Sequence, residues 1–487
     1  MPSRDHRRPS DELEQPLLLP PTVLPGTVDV DVEVDDGDNP TPTAIFASID
    51  GGDTSLVGSI VLLSKAIVGA GSAALPLAFA RLGIFFSVTF LLTVAFMTHF
   101  SLQALTQGLI TSGRTSYPSA VHSLVGPSPA SFLELCLVLR CAGLIVVYIV
   151  IAADLLAGSK SLPGLLCEIF GKHAHETWCA DRHLAAGVVT VAILLPLVTP
   201  KKLSSATFTS FLGLSAVMLW TVVTAGVALT AGIDHKGVVP PLLPNPEALG
   251  GGNLASELIV ALATLPVIAT AFTCQMTVHF IAGGLRTFST KRMSIVSAAA
   301  VSLCSLVFLT IGLGSIYAFG DRVPADILEM FSTKSLKHIV GKHWAKVFGI
   351  SVRFGFLLSL LANCPFQMLP YRHSLARLTL PGGGVQDPEF RGLAYYAVTY
   401  LSLGLFYFIA MAAKSIWVPI QLVGATAGAA IAFFYPAALA LVVAKRMPAA
   451  TTRRRRYWTW NGWALIVLGV VQVVTGIGAI YLEREKK

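Results

Sequence analysis

Apolar and polar residues follow one another along this chain in long blocks, not with the short periods of a soluble fold. From residue 56 onward, apolar stretches lie near 56–81, 84–107, 132–156, 184–199, 205–231, 257–282, 294–319, 347–370, 392–412, 416–443 and 461–481, separated by polar loops. A helix rises about 1.5 Å per residue, so roughly 20 apolar residues cross a bilayer core. The pattern predicts an all-α, polytopic membrane protein with 11 transmembrane helices.

Two of these stretches are interrupted. The first reads LVGSIVLLSKAIVGAGSAALPLAFARLG over 56–83, broken by Gly69-Ala70-Gly71 with Pro76 close behind. Backbone that lacks helical hydrogen bonds is tolerated at membrane depth only where it is buried in protein or lines a cavity. A lone Gly-x-Gly also reads as a kinked span packed closely through its glycines. The sixth stretch carries a second interruption, with Pro266, then β-branched and small residues from Ile268 to Thr273, then Gln275. Spans one and six open two five-span halves and run in opposite directions, the arrangement of an inverted-repeat transporter. In such a fold a half-helix N-terminus aims its positive dipole end at an anionic group.

The domain division follows. A tail at 1–53 precedes a ten-helix core at 54–445, whose halves cover 56–231 and 257–443; a basic loop and an eleventh helix fill 446–487. The tail is polar, acidic and proline-bearing, and cannot bury enough apolar surface to fold. No apolar signal-peptide core follows its first basic residues. It holds Glu14 and the pair Leu18-Leu19, spaced as in a dileucine sorting signal, which predicts a sorting adaptor as partner and a vacuolar or lysosomal address.

Composition narrows the function. The 487 residues are 54% hydrophobic and 13% charged, with mean hydropathy +0.69; soluble domains carry roughly 25% charged residues. The net charge of +8 sits in loops between apolar spans and points to no nucleic acid. The run Arg453–Arg456, with Lys445 and Arg446, has no acidic residue beside it and sets the N-terminus in the cytosol. Seven cysteines show no metal spacing, and no cofactor is expected. Cys167 and Cys179 share a loop and can pair in an oxidising lumen, but free thiols are the expectation. Arg140 lies deep in the third span; Glu134 and Asp154 lie nearer its ends and are expected at the interface, as are His99 and His279. These groups form no catalytic constellation, so an enzyme is not expected. A channel is disfavoured for want of a filter-like loop.

Several motifs together resemble the amino acid/auxin permease family, in particular plant-type vacuolar amino acid transporters and sodium-coupled neutral amino acid transporters. They are GSIVLLSKAIVGAGSAALPLAFARLG in span one, LPVIATAFTCQMTVHFI in span six, Tyr317-Ala318-Phe319-Gly320-Asp321, Lys414-Ser415-Ile416-Trp417, Gln421-Leu422-Val423-Gly424-Ala425-Thr426-Ala427 and Phe434-Tyr435-Pro436-Ala437. The resemblance implies a LeuT-like fold, two inverted five-helix halves plus one helix, and secondary transport of amino acids, with neutral ones foremost. It implies a substrate site built from the backbone of Ala66, Ile67, Gly69, Ala70, Gly71 and Ser72 in span one and of Thr270, Ala271, Phe272 and Gln275 in span six. N–H groups from Gly69 to Ser72 would meet the substrate carboxylate, and carbonyls of both stretches its ammonium. Lys65 stands where the sodium-coupled branch carries Asn, and Gln275 where members often carry His. Lys65 is therefore expected to govern coupling, either by donating to freed carbonyls in the place of a sodium ion or by exchanging a proton. A transport-fold sensor that signals through the N-terminal tail is the alternative.

Overall fold

The computed structural model describes residues 52–158, 163–170, 178–234, 237–239, 241–244, 264–320, 323–324, 327–380, 390–413, 424–448 and 452–485. The tail with its Glu14-Leu18-Leu19 motif, Lys414–Trp417 and Gln421–Val423 lie outside them. The described chain is helical: α1 Leu56–Ile67, α2 Leu75–Ser112, α3 Tyr117–Leu124, α4 Pro127–Ala157, α5 Leu165–Phe170, α6 Arg182–Val198 and α7 Thr207–Ile233. Then come α8 at 264–271, α9 Val278–Gly284, α10 Thr290–Phe319, α11 Thr333–Val340, α12 Lys342–Ala362, α13 Cys364–Thr379, α14 Gly392–Ala412, α15 Gly424–Arg446 and α16 Thr452–Glu485. Among the described residues, nine helical stretches are long and apolar enough to cross a membrane, and the shorter Leu56–Ile67 and Arg182–Val198 fall at the first and fourth expected spans.

Local chemistry sets the ends. Ser55 caps α1 by accepting from the Gly58 N–H at 3.1 Å, and Ser289 caps α10 by accepting from Arg292 N–H at 3.1 Å. Between spans one and two there is no loop. The chain turns within α2 at Gly83, whose φ of 72° favours glycine and whose Cβ position would collide with the Leu243 carbonyl at 2.6 Å. The segment at 241–244 lies over this turn, with Ile84 and Phe85 N–H groups donating to the carbonyls of Pro241 and Leu242. At the opposite end of span one, Thr54 N–H donates to Gly284 O at 2.8 Å and Arg286 N–H to Thr54 O at 3.0 Å. The start of α1 is thus tied to the end of α9.

Helix α1 packs between α7 and α10, while α2 lies along α10, α12 along α7 and α13 along α4. Trp220 of α7 is fully buried edge-on to Phe356 of α12. Outward faces are apolar, as lipid requires: Phe208, Leu401, Phe408 and Trp460 are all mostly exposed.

Three expectations are corrected. Cys167 and Cys179 are disulfide-bonded, not free: α5 and the turn at Trp178–Ala180 bring their Cα atoms to 5.5 Å, a span that a disulfide bridges. Glu134 is not interfacial; it is 3% exposed and ion-paired with Arg377 of α13. His279 is likewise covered, its ring stacked on Phe280 at 3.9 Å between centroids. Position along a span gives depth, whereas neighbouring helices decide whether a side chain at that depth meets water. His99 is half-buried between α2 and α10, hydrogen-bonded to Gln103 and Ser297. Asp154 does lie near its span end, partly exposed, with Arg182 Nε at 2.7 Å.

Candidate functional site: the meeting of two broken helices

In span one the helix stops at Ile67. Val68 turns out of the helix (φ −79°, ψ 102°), although its N–H still donates to Ser64 O at 3.0 Å. Gly69 is extended, and Ala70–Ala74 form a 3-10 turn that leads into α2. Pro76 sits in the first turn of α2, where no intrahelical donor is needed. A Cβ on Gly69 would lie 3.3 Å from the Tyr148 hydroxyl of α4 and 3.4 Å from Asn363 Nδ2. The side chain and N–H of Ser72 both turn back to the Gly69 carbonyl, at 2.8 and 3.2 Å, so this N–H is already engaged. Ile67 is buried and Ala66 half-buried.

Span six breaks after Ala271. Phe272 and Thr273 N–H groups make tight turns onto Ala269 O and Thr270 O, and Cys274 leaves the helix at φ −135°, ψ 3°. Side chains satisfy the freed groups. Gln275 Oε1 accepts from Cys274 N–H at 3.0 Å, and the Thr277 hydroxyl donates to Cys274 O at 2.8 Å. The chain resumes as α9 after a 3-10 turn at Gln275–Thr277. Phe272 packs edge-on to Phe308 of α10.

The breaks touch: a Cβ on Gly71 would lie 3.3 Å from Ala271 Cα and 3.4 Å from its Cβ. Gly69, Gly71, Ser72, Ala271 and Gln275 therefore belong to one neighbourhood. Thr270 turns elsewhere, its Oγ1 3.5 Å from Gln472 Nε2 of α16 and beside Gly424 of α15. Gly424–Gly428, within the motif Gly424-Ala425-Thr426-Ala427, is wound as a π turn, a wide turn that recurs at functional sites.

Lys65 is wholly buried, and its ammonium donates to Val68 O at 2.9 Å. Asn363 Nδ2 donates to the same oxygen at 2.8 Å. The lysine stem runs over Gly213 of α7, where a Cβ would stand 2.8 Å from Lys65 Cε and 2.9 Å from Ala362 Cβ. Lys65 thus caps the freed carbonyl end of α1, a position of negative dipole that favours a cation. Asn363 and Tyr148 were not anticipated as part of this site. Asn363-Cys364-Pro365 in the middle of the eighth span was the available signal for the first; for Tyr148 nothing but packing reveals it.

The model of the family described as transmembrane amino acid transporter protein matches residues 52–482. The chain belongs to that family. Amino acid transporter AVT6B of Arabidopsis thaliana is 27% identical to it over 391 residues, covering 80% of this chain and 82% of that one. Vacuolar amino acid transporter 5 of Schizosaccharomyces pombe is 25% identical, covering 80% and 84%. The crystal structure of MhsT in complex with L-phenylalanine superposes with a TM-score of 0.53 over 87% of this chain and 98% of that one, at 10% identity. That likeness bears on the fold alone and is LeuT-like, as the broken first and sixth spans imply. This transmembrane amino acid transporter family member is not an enzyme.

Proposed function

We propose that this chain is a secondary active transporter that moves amino acids across a vacuolar or lysosomal membrane, independently of sodium and linked to protons. The observation that carries the reading is the contact of the two unwound segments at Gly71 and Ala271, in a chain whose family transports amino acids. Substrate carboxylate binds at the N-terminal end of the turn at Ala70–Ala74, by the N–H groups of Gly69, Ala70 and Gly71, and the ammonium binds the carbonyls of both breaks. Eleven membrane helices, ten of them in two inverted halves, carry this site.

The coupling reading rests on Lys65. A charge at this depth costs several kcal/mol unless answered, and here Val68 O and the end of α1 answer it. An ammonium there repels a sodium ion and can exchange its proton during the cycle.

The N-terminus is cytosolic in this reading, which puts the loop after α4 in the lumen. The Cys167–Cys179 disulfide in that loop supports the orientation, because such bonds persist in oxidising compartments. Glu14, Leu18 and Leu19 act as the sorting signal; a tagged Leu18→Ala/Leu19→Ala double variant that keeps its endomembrane pattern would refute that role.

The test of the function is uptake of radiolabelled amino acids into vesicles reconstituted with the full chain, under an imposed pH gradient. Uptake above that of protein-free vesicles is expected, and its absence for all amino acids contradicts the reading. Deleting residues 1–50 should leave flux intact; loss of a cellular amino acid response with flux retained would favour the sensor instead.

A further inference from the structure

Away from the two breaks, a cavity of about 220 Å³ lies where the last turns of α2 meet the first turns of α10 and α16. Lys291 of α10 and Arg454 of α16 line it, and no Asp or Glu does so among the described residues. Neither cationic side chain has an ion-pair or hydrogen-bond partner among those residues. Two cations brought by separate helices to one cavity repel each other, and an anion between them relieves that repulsion.

The rest of the lining adds donors. Ser289 caps α10 through Arg292 N–H, so the N–H groups of Thr290 and Lys291 in the first turn keep no intrahelical acceptor. The Thr290 hydroxyl and the Gln107 amide line the cavity and make no hydrogen bond among the described residues. The inner wall is fixed: Ser297, 1% exposed, and Gln103 are held by His99 at 3.0 and 2.6 Å. An ammonium, a guanidinium, an amide, a hydroxyl and the start of a helix, with no carboxylate, suit a multiply charged oxyanion.

Size and depth narrow the ligand. Pockets that enclose a drug-sized molecule run to roughly 300–1,000 Å³, so this smaller one takes a headgroup or a lone oxyanion. Tyr457 and Trp460, 47% and 72% exposed, follow Arg454 by one and two turns of α16. Exposed aromatic residues at the end of a membrane span mark the interface, which sets Arg454 at the level of lipid headgroups. In the orientation proposed above this end faces the cytosol, whose leaflet carries the anionic lipids.

We propose that this cavity binds a phosphate group, presented by the headgroup of an anionic lipid or by a soluble phosphate, and that the bound anion ties α16 to α2 and α10. None of the lining residues belongs to the substrate site, so the proposal stands or falls apart from the transport reading.

The experiment titrates the purified full chain with a fluorescent short-chain phosphatidylinositol phosphate, alone and against inorganic phosphate. Saturable binding is expected, and Lys291→Gln/Arg454→Gln should weaken it by about tenfold or more, the effect of lost charged hydrogen bonds. Arg455→Gln/Arg456→Gln removes the same charge from the same basic run but outside the cavity lining, and should leave the affinity unchanged. Displacement of the probe by inorganic phosphate supports the site and assigns it to soluble phosphate; retention of the probe assigns it to the lipid headgroup. Equal weakening by the two double variants overturns the proposal, because the attraction is then a diffuse property of the basic surface. So does the absence of saturable binding together with an unchanged thermal midpoint in inorganic phosphate. All four substituted side chains are exposed, so the variants keep their fold.

Discussion

Gly71 of the first membrane span approaches Ala271 of the sixth so closely that a Cβ on the glycine would stand 3.3 Å from the alanine's Cα. Two segments far apart in sequence, each unwound at membrane depth, meet backbone to backbone. Each has its own means of tolerating the break. Ser72 closes a turn on Gly69 O in the first, and Gln275 and Thr277 cap Cys274 in the second. Unwound backbone in a bilayer is stable only with such partners.

Substitution at this contact tests its role. Gly71→Val should abolish transport without preventing membrane insertion, because its side chain must displace Ala271 and fill the space between the breaks. Gly71→Ala should reduce uptake and destabilise by about 1–3 kcal/mol, the usual cost of overpacking. Uptake assays paired with size-exclusion profiles check both; normal flux in Gly71→Val sinks the broken-helix site.

Gly213 and Lys65 should be energetically coupled. A methyl at Gly213 falls 2.8 Å from Lys65 Cε, the flexible end of a side chain, and 2.9 Å from Ala362 Cβ. Gly213→Ala should lower the thermal midpoint of the purified protein, and by less in a Lys65→Ala background, with a coupling of roughly 0.5–3 kcal/mol for touching residues. Strict additivity would place the lysine stem elsewhere.

Arg353 should be a structural cation. Its side chain is fully buried against Glu168, which also accepts from the Thr333 hydroxyl at 2.9 Å. Arg353→Met strands that carboxylate, and removing one partner of a buried pair costs about 3–5 kcal/mol. A large drop in thermal midpoint is expected; an unchanged midpoint contradicts the pairing.

The disulfide is open to direct measurement. Intact-protein mass spectrometry with a thiol alkylator should leave Cys167 and Cys179 unmodified until reduction. A Cys167→Ser/Cys179→Ser variant should lose roughly 2–4 kcal/mol, as for a short closed loop. Alkylation of both thiols without reductant would show them free.

Much of this architecture was legible because the bilayer imposes long apolar runs. The expected span at 205–231 and the observed Thr207–Ile233 differ by two residues at each end. The breaks were legible too, since Gly69, Gly71 and Pro266 are costly in an uninterrupted helix. Facing was not legible. Glu134 and His279 stand near span ends yet are sealed by α13 and Phe280, because the same depth can face water or another helix. Thr270 belongs to the broken stretch but points toward Gln472, a contact made across 202 residues of sequence. The pairing of Cys167 with Cys179 depended on how α5 and the turn at Trp178–Ala180 fold over each other, which spacing alone leaves open.

Lys65 is where the proposed coupling can be tested most sharply, because its buried ammonium donates to Val68 O at 2.9 Å, at the break in span one. The most direct measurement is the initial rate of amino acid uptake by wild-type and Lys65→Ala vesicles, with a pH gradient in sodium-free buffer or a sodium gradient at constant pH. The pH gradient alone should drive wild-type uptake, sodium should add nothing, and Lys65→Ala should lose the pH dependence. Wild-type flux that requires sodium at constant pH would contradict the proposed coupling.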